Sequence, residues 1–149
     1  MKIDYSTSAN CSPEQVWAVF SDVSTWSQWN PMARASWVEG EPWQTGSQIL
    51  LEPTQAPTKI KAKVVDSALP HSVSWQGSAM GVTFVHRFDF TSQPDGTTLM
   101  KTVVDLSGAA TFFISNKMKQ QGIDMFAQWF NALKTEAEKR TVAGSVDPR

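Results

Sequence analysis

A change of hydrophobic period divides this chain and decides what it can fold into. Between Met32 and about Leu106, apolar residues recur at every second position in short segments. From about Ala110 to Arg140 they recur at three- and four-residue steps, as Met118, Gly122, Phe126, Trp129, Phe130, Leu133 and Ala137, with no proline among them. The alternating part predicts strands over Ala33–Glu39, Ser47–Leu51, Lys59–Asp66, Ser72–Gly77, Val82–Thr91 and Thr97–Leu106. Turn clusters such as Leu69-Pro70-His71, Met80-Gly81 and Gln93-Pro94-Asp95-Gly96 separate them. Loops this short join neighbours, so the strands form an antiparallel meander rather than parallel crossovers. The last part predicts one long helix of roughly 45 Å.

The N-terminal segment completes the outline. Lys2–Ser8 alternates like an edge strand, and Ser12-Pro13-Glu14-Gln15 carries an N-cap, a proline at the first helical position and an early acid. That helix is short, because Ser21-Asp22-Val23-Ser24 reads as a second cap before a further turn ending at Asn30-Pro31. The fold class is therefore α+β: about seven antiparallel strands, two short helices after the first, and a long C-terminal helix. A sheet with one apolar face needs a cover, and that helix is the only long amphipathic element available. Residues 1–140 read as a single domain and residues 141–149 as a polar tail.

Charge and composition narrow the function. Thirteen Lys and Arg against fourteen Asp and Glu leave a net charge of -1. No basic field therefore draws nucleic acid or an anionic membrane. Lys59, Lys61 and Lys63 alternate with Ile60, Ala62 and Val64, which marks the wet face of a strand. A single cysteine, Cys11, allows neither an internal disulfide nor a cysteine-based metal site. Neither an apolar leader nor a membrane-length apolar run is present, so the expected location is the cytoplasm. Seven Trp and eight Phe are more large rings than a small core needs, which points to a lined cavity.

The most informative segment is Val82–Phe90. Val82, Phe84, His86, Phe88 and Phe90 share one face, and Thr83, Val85, Arg87 and Asp89 share the other. His86 is thus the one ionisable group on an aromatic face, while Arg87 and Asp89 form a solvated pair. The bland reading of His86 is a hydrogen-bonded filler of core or pocket wall. The sharp one is a general acid or base, or a polar anchor for a ligand. Its strand face supplies no carboxylate, so no metal site is expected. The chain also lacks the short nucleotide-binding and hydrolase motifs.

The residues Ser12-Pro13-Glu14-Gln15-Val16-Trp17, Trp26-Ser27-Gln28-Trp29-Asn30-Pro31, Phe88-Asp89-Phe90 ahead of Pro94-Asp95-Gly96-Thr97, and the Phe126–Leu133 helix stand in an order that resembles the SRPBCC (START-like) superfamily, especially its polyketide cyclase/dehydrase-like branch. The resemblance covers about residues 2 to 140. It implies a helix-grip fold, in which a bent antiparallel sheet wraps around the C-terminal helix and encloses a hydrophobic tunnel closed at one end by the two short helices. It also implies a bound lipid, sterol, polyketide or hormone; no cofactor is expected. The superfamily shares no catalytic motif, so none transfers to residues here.

The leading functional reading is binding or transport of a small hydrophobic molecule between sheet and helix, by a monomer or homodimer. Trp29, Trp37, Trp75, Phe84, His86, Phe88, Met100, Thr102, Met118, Phe126 and Phe130 are expected in the wall, with His86 and Thr102 orienting one polar group. The runner-up is a cyclase or dehydratase in which His86 moves a proton. A third reading is an interaction or assembly module, which an exposed apolar patch near Trp43 or Phe112-Phe113 would support. Gly122, unusual inside a helix, is expected to mark a close approach or a kink that admits ligand.

Overall fold

The computed structural model describes residues 1–145, with side chains through residue 141. Strand β1 (Lys2–Ala9) leads into α1 (Pro13–Ser21), a 3-10 turn at Val23–Thr25 and the short α2 (Trp26–Trp29). Six strands follow: β2 (Ala33–Glu39), β3 (Gln48–Pro53), β4 (Ile60–Ala68), β5 (Ser72–Ala79), β6 (Val82–Ser92) and β7 (Thr98–Ser107). Helix α3 (Asn116–Ser145) closes the chain. The strands form one antiparallel sheet in the order β1-β7-β6-β5-β4-β3-β2. This is the architecture the resemblance implies, with each strand within a few residues of its expected bounds.

Helix α1 starts as its sequence requires. The Gln15 amide donates to Ser12 Oγ at 3.2 Å and the Ser12 amide donates back to Gln15 Oε1 at 2.8 Å, a reciprocal cap that satisfies two otherwise orphaned donors. Helix α3 differs from expectation at both ends. It begins at Asn116 rather than near Ala110, because Gly108 at φ 106° turns the chain into a 3-10 segment over Ala109–Phe113. The working cap is Ser115, whose Oγ accepts from the Met118 amide at 3.1 Å. At the other end the helix runs on to Ser145, into the segment read as a polar tail; residues 146–149 lie outside the described residues. Among the described residues, no helix is long and apolar enough to cross a membrane.

The core runs under most of the sheet, from β7 and β6 through Val73 and Trp75 of β5 to Val64 of β4 and Ile49 of β3. Phe88, Phe90 and Met100 from the sheet meet Trp129, Phe130, Leu133 and Ala137 from α3, with Val16, Val19 and Phe20 of α1 at one end. Helix α3 lies along β1 and against α1, and stands off from the β2–β5 half of the sheet, where Trp43 packs over Trp75. Gly122 faces β1: a Cβ there would stand 3.2 Å from Ile3 Cδ1. It is a close-approach point within a continuous helix. Register shifts between Trp37 and Glu39 and between Val64 and Asp66 interrupt the ladders of the β2–β5 half. Such irregularities bend a sheet locally.

Candidate functional site

The β2–β5 half of the sheet and α3 face each other across a cavity of about 370 Å³. Its wall comes from Met32, Ala33, Leu51, Pro53 and Ile60 on one side, Trp75, Phe84, His86, Val104 and Leu106 on the sheet floor, and Met125, Phe126 and Trp129 from the helix. None of these side chains carries a carboxylate or a lysine or arginine cation. The tunnel implied by the resemblance is open along one side. Leu51, Ile60, Phe84 and Phe126 are only half-buried and Met125 is 38% exposed. The physical reason is the seating of α3 along β1, away from the Leu51–Ile60 end of β3 and β4.

Sheet register sets His86 within this wall. It pairs with Trp75 on β5 and Val104 on β7. Its ring stacks on Phe88 with centroids 4.2 Å apart, lies 5.0 Å from Phe126, and meets Trp75 and Trp129 edge-on at 6.0 and 5.9 Å. One polar partner remains, Thr102 on β7, whose hydroxyl lies 2.6 Å from His86 Nε2. With a side chain only 7% exposed among rings, burial pushes the imidazole pKa down from 6.5 to about 3. His86 is therefore neutral throughout the physiological range. The Trp75 and Trp129 indole nitrogens also lack a protein partner among the described residues, but both are sealed away from open space.

Of the expected wall residues, the structure brings together Trp75, Phe84, His86 and Phe126. Thr102 is fully buried behind His86 and acts on the wall through it. Phe88, Met100 and Phe130 point inward as expected but are sunk in the core beneath the floor, with no exposed surface. Trp29 packs edge-on against Trp26, and Trp37 against Trp43, both away from the cavity. Met118 is 50% exposed on the first turns of α3 and reaches none of this. Leu51, Ile60, Leu106, Met125 and Trp129 were not expected in the wall. Trp129 could have been found from its place in the α3 stripe. Leu51 and Ile60 could not, because their adjacency depends on the β3–β4 register.

Gly77 shapes the floor. It stands opposite Phe84, and a Cβ there would lie 2.7 Å from Phe84 Cζ and 2.7 Å from the Lys61 carbonyl oxygen. The absence of a side chain lets the Phe84 ring lie across β5. The variant Gly77→Ala is expected to lose roughly 1–3 kcal/mol in chemical denaturation by overpacking against immovable backbone. An unchanged midpoint would show that β4 and β5 separate freely.

A family model described as "Polyketide cyclase / dehydrase and lipid transport" matches residues 1–139. No curated protein matches the sequence significantly. Among solved structures, a hypothetical protein of Helicobacter pylori superposes with a TM-score of 0.79 at 12% identity, covering 92% of this chain and 88% of that one. A START superfamily protein of Mycobacterium smegmatis gives 0.74 at 17% identity, covering 93% and 97%. Norcoclaurine synthase of Thalictrum flavum, solved with dopamine and hydroxybenzaldehyde, gives 0.68 at 14% identity, covering 93% and 87%. The structural likenesses establish the START-like helix-grip fold and the family match extends over nearly the whole chain, so the chain belongs to the polyketide cyclase/dehydrase and lipid-transport family.

Proposed function

We propose that this protein binds and carries a small, uncharged, aromatic or lipid-like molecule in the cavity between α3 and the β2–β5 half of the sheet, in the cytoplasm. The observation that carries this reading is the wall itself: thirteen residues, rich in rings and branched aliphatics, without one formal charge. Burying an ionic group there would leave it unpaired, whereas apolar surface is welcome at about 25 cal/mol per Å². Dopamine, bound by the plant enzyme of similar fold, carries an ammonium that this wall has no carboxylate to meet. Carriage is favoured over cyclase or dehydratase chemistry because His86 has no second ionisable group beside it to complete a proton relay.

The test uses 6-propionyl-2-dimethylaminonaphthalene, a neutral probe with one carbonyl that fluoresces in apolar surroundings. Its binding is expected to saturate at one site. The variant Ala33→Phe, which fills the cavity from a half-buried wall position, is expected to weaken it at least about tenfold. Non-saturable uptake, or equal binding by the variant, would sink the proposal.

One observation favours the interaction-module reading as a second use of the same domain. Phe112 and Phe113 are 93% and 83% exposed, and the Met80-Gly81 hairpin tip packs beside them on Gly108–Ala110. Trp43, the other position considered for such a patch, is buried instead: it stacks on Trp75 and donates from Nε1 to the Ser21 carbonyl. If the phenylalanines dock copies of the chain, Phe112→Ser/Phe113→Ser is expected to lower the sedimenting mass at high concentration and leave probe binding intact. A mass identical to wild type would remove the reading.

A further inference from the structure

The Thr102–His86 contact carries more information than its length. Thr102 is fully buried, and its hydroxyl proton has no acceptor within reach, among the described residues, other than His86 Nε2. If Nε2 carried the ring proton and donated to Thr102, that hydroxyl proton would be stranded in the core, at the cost of an unsatisfied buried donor. The contact is satisfied when Thr102 donates and Nε2 accepts. A neutral imidazole has one proton, which must then sit on Nδ1. Nδ1 has no partner among the described residues, and its ring forms part of the cavity wall. The indole N–H groups nearby are sealed off and do not compete.

We propose that the cavity selects uncharged ligands bearing an acceptor oxygen, such as a ketone, quinone or ester carbonyl, which takes a hydrogen bond from His86 Nδ1 while Thr102 positions the ring from behind. The inference rests on the binding role proposed for the cavity and narrows it to a ligand class. An acceptor-free hydrocarbon leaves the Nδ1 proton unpaired and loses that discrimination. A ligand offering only a donor meets another donor and is disfavoured.

Two probes of nearly the same shape, 9-fluorenone and fluorene, separate this inference from the binding role itself. The ratio of their dissociation constants is compared between proteins, so that the probes' own hydration cancels. Wild type and Thr102→Ser are expected to favour fluorenone by about tenfold more than His86→Leu or Thr102→Val do. Nitrogen-15 NMR of the unliganded wild-type protein, which depends on no variant folding, is expected to show Nδ1 protonated and Nε2 bare. A ratio common to all four proteins, or a proton on Nε2, overturns the inference while leaving the cavity a binding site. Failure of both probes to bind wild type overturns the binding role and the inference together.

Discussion

Lowering the pH from 7 to 4 is expected to remove roughly 3 kcal/mol of stability through His86 alone. In the unfolded chain its imidazole titrates near 6.5; in the fold, burial among Trp75, Phe88, Phe126 and Trp129 holds it neutral down to about 3. The unfolded state therefore takes up a proton first. The contribution is fully present above pH 6.5 and is lost as the pH falls toward 3, at roughly 1.4 kcal/mol for each unit between the two values. Against a total stability of about 5–15 kcal/mol this is a large share. Urea unfolding of wild type and His86→Gln at pH 7, 5.5 and 4 isolates it, because carboxylates common to both proteins cancel in the difference. The amide keeps a hydrogen bond available to Thr102 while removing the titration. Parallel pH dependences in the two proteins would show that the imidazole is hydrated in the fold.

Replacing Phe130 by aspartate is expected to cost more than about 4 kcal/mol, enough to unfold many domains of this size. The Phe130 ring is completely buried, 6.3 Å from both Phe88 and Phe90 and 6.2 Å from Trp129, centroid to centroid. A carboxylate placed there finds rings on the sheet side and its own helix on the other. Phe130→Leu keeps the apolar character and is expected to lose less, about 1–2 kcal/mol. Phe113→Asp, on a ring already in solvent, is expected to stay within about 0.5 kcal/mol of wild type. Near-UV circular dichroism and denaturation midpoints read all three. A folded, cooperative Phe130→Asp protein would mean that α3 does not close the core.

What the sequence disclosed follows from which physical signals are local. Alternation in Val82–Phe90 named the inward face of β6, and the helical spacing of Trp129, Phe130, Leu133 and Ala137 named the buried stripe of α3. Both are properties of a single element. Strand register is not, so the facing of Leu51 and Ile60 across β3 and β4 was beyond reach. So was the seating of α3 over one half of the sheet, which decides that Phe88 and Met100 lie in core and Phe84 beside open space. The burial of Trp43 was not legible either, because it stands in a turn-rich loop at φ 65°, a backbone conformation seldom adopted by large side chains. The loop exists to deliver that indole into the core. Ser115 was the true cap of α3, but the apolar pair Phe112-Phe113 ahead of it has the look of a first helical turn.

The one-sided seating of α3 also bears on how quickly a guest can come and go. In a fully wrapped barrel the occupant leaves only when an element detaches, and its residence is tied to the free energy of partial unfolding. Here the half-buried Leu51, Ile60, Phe84 and Phe126 and the 38% exposed Met125 stand on the open side of the cavity, and exposed side chains reorient on the picosecond-to-nanosecond scale. On the proposed binding role, exchange and folding are then uncoupled. A thermally weakened variant with an intact rim should release its cargo as fast as the parent, and a stabilised one should hold it no longer.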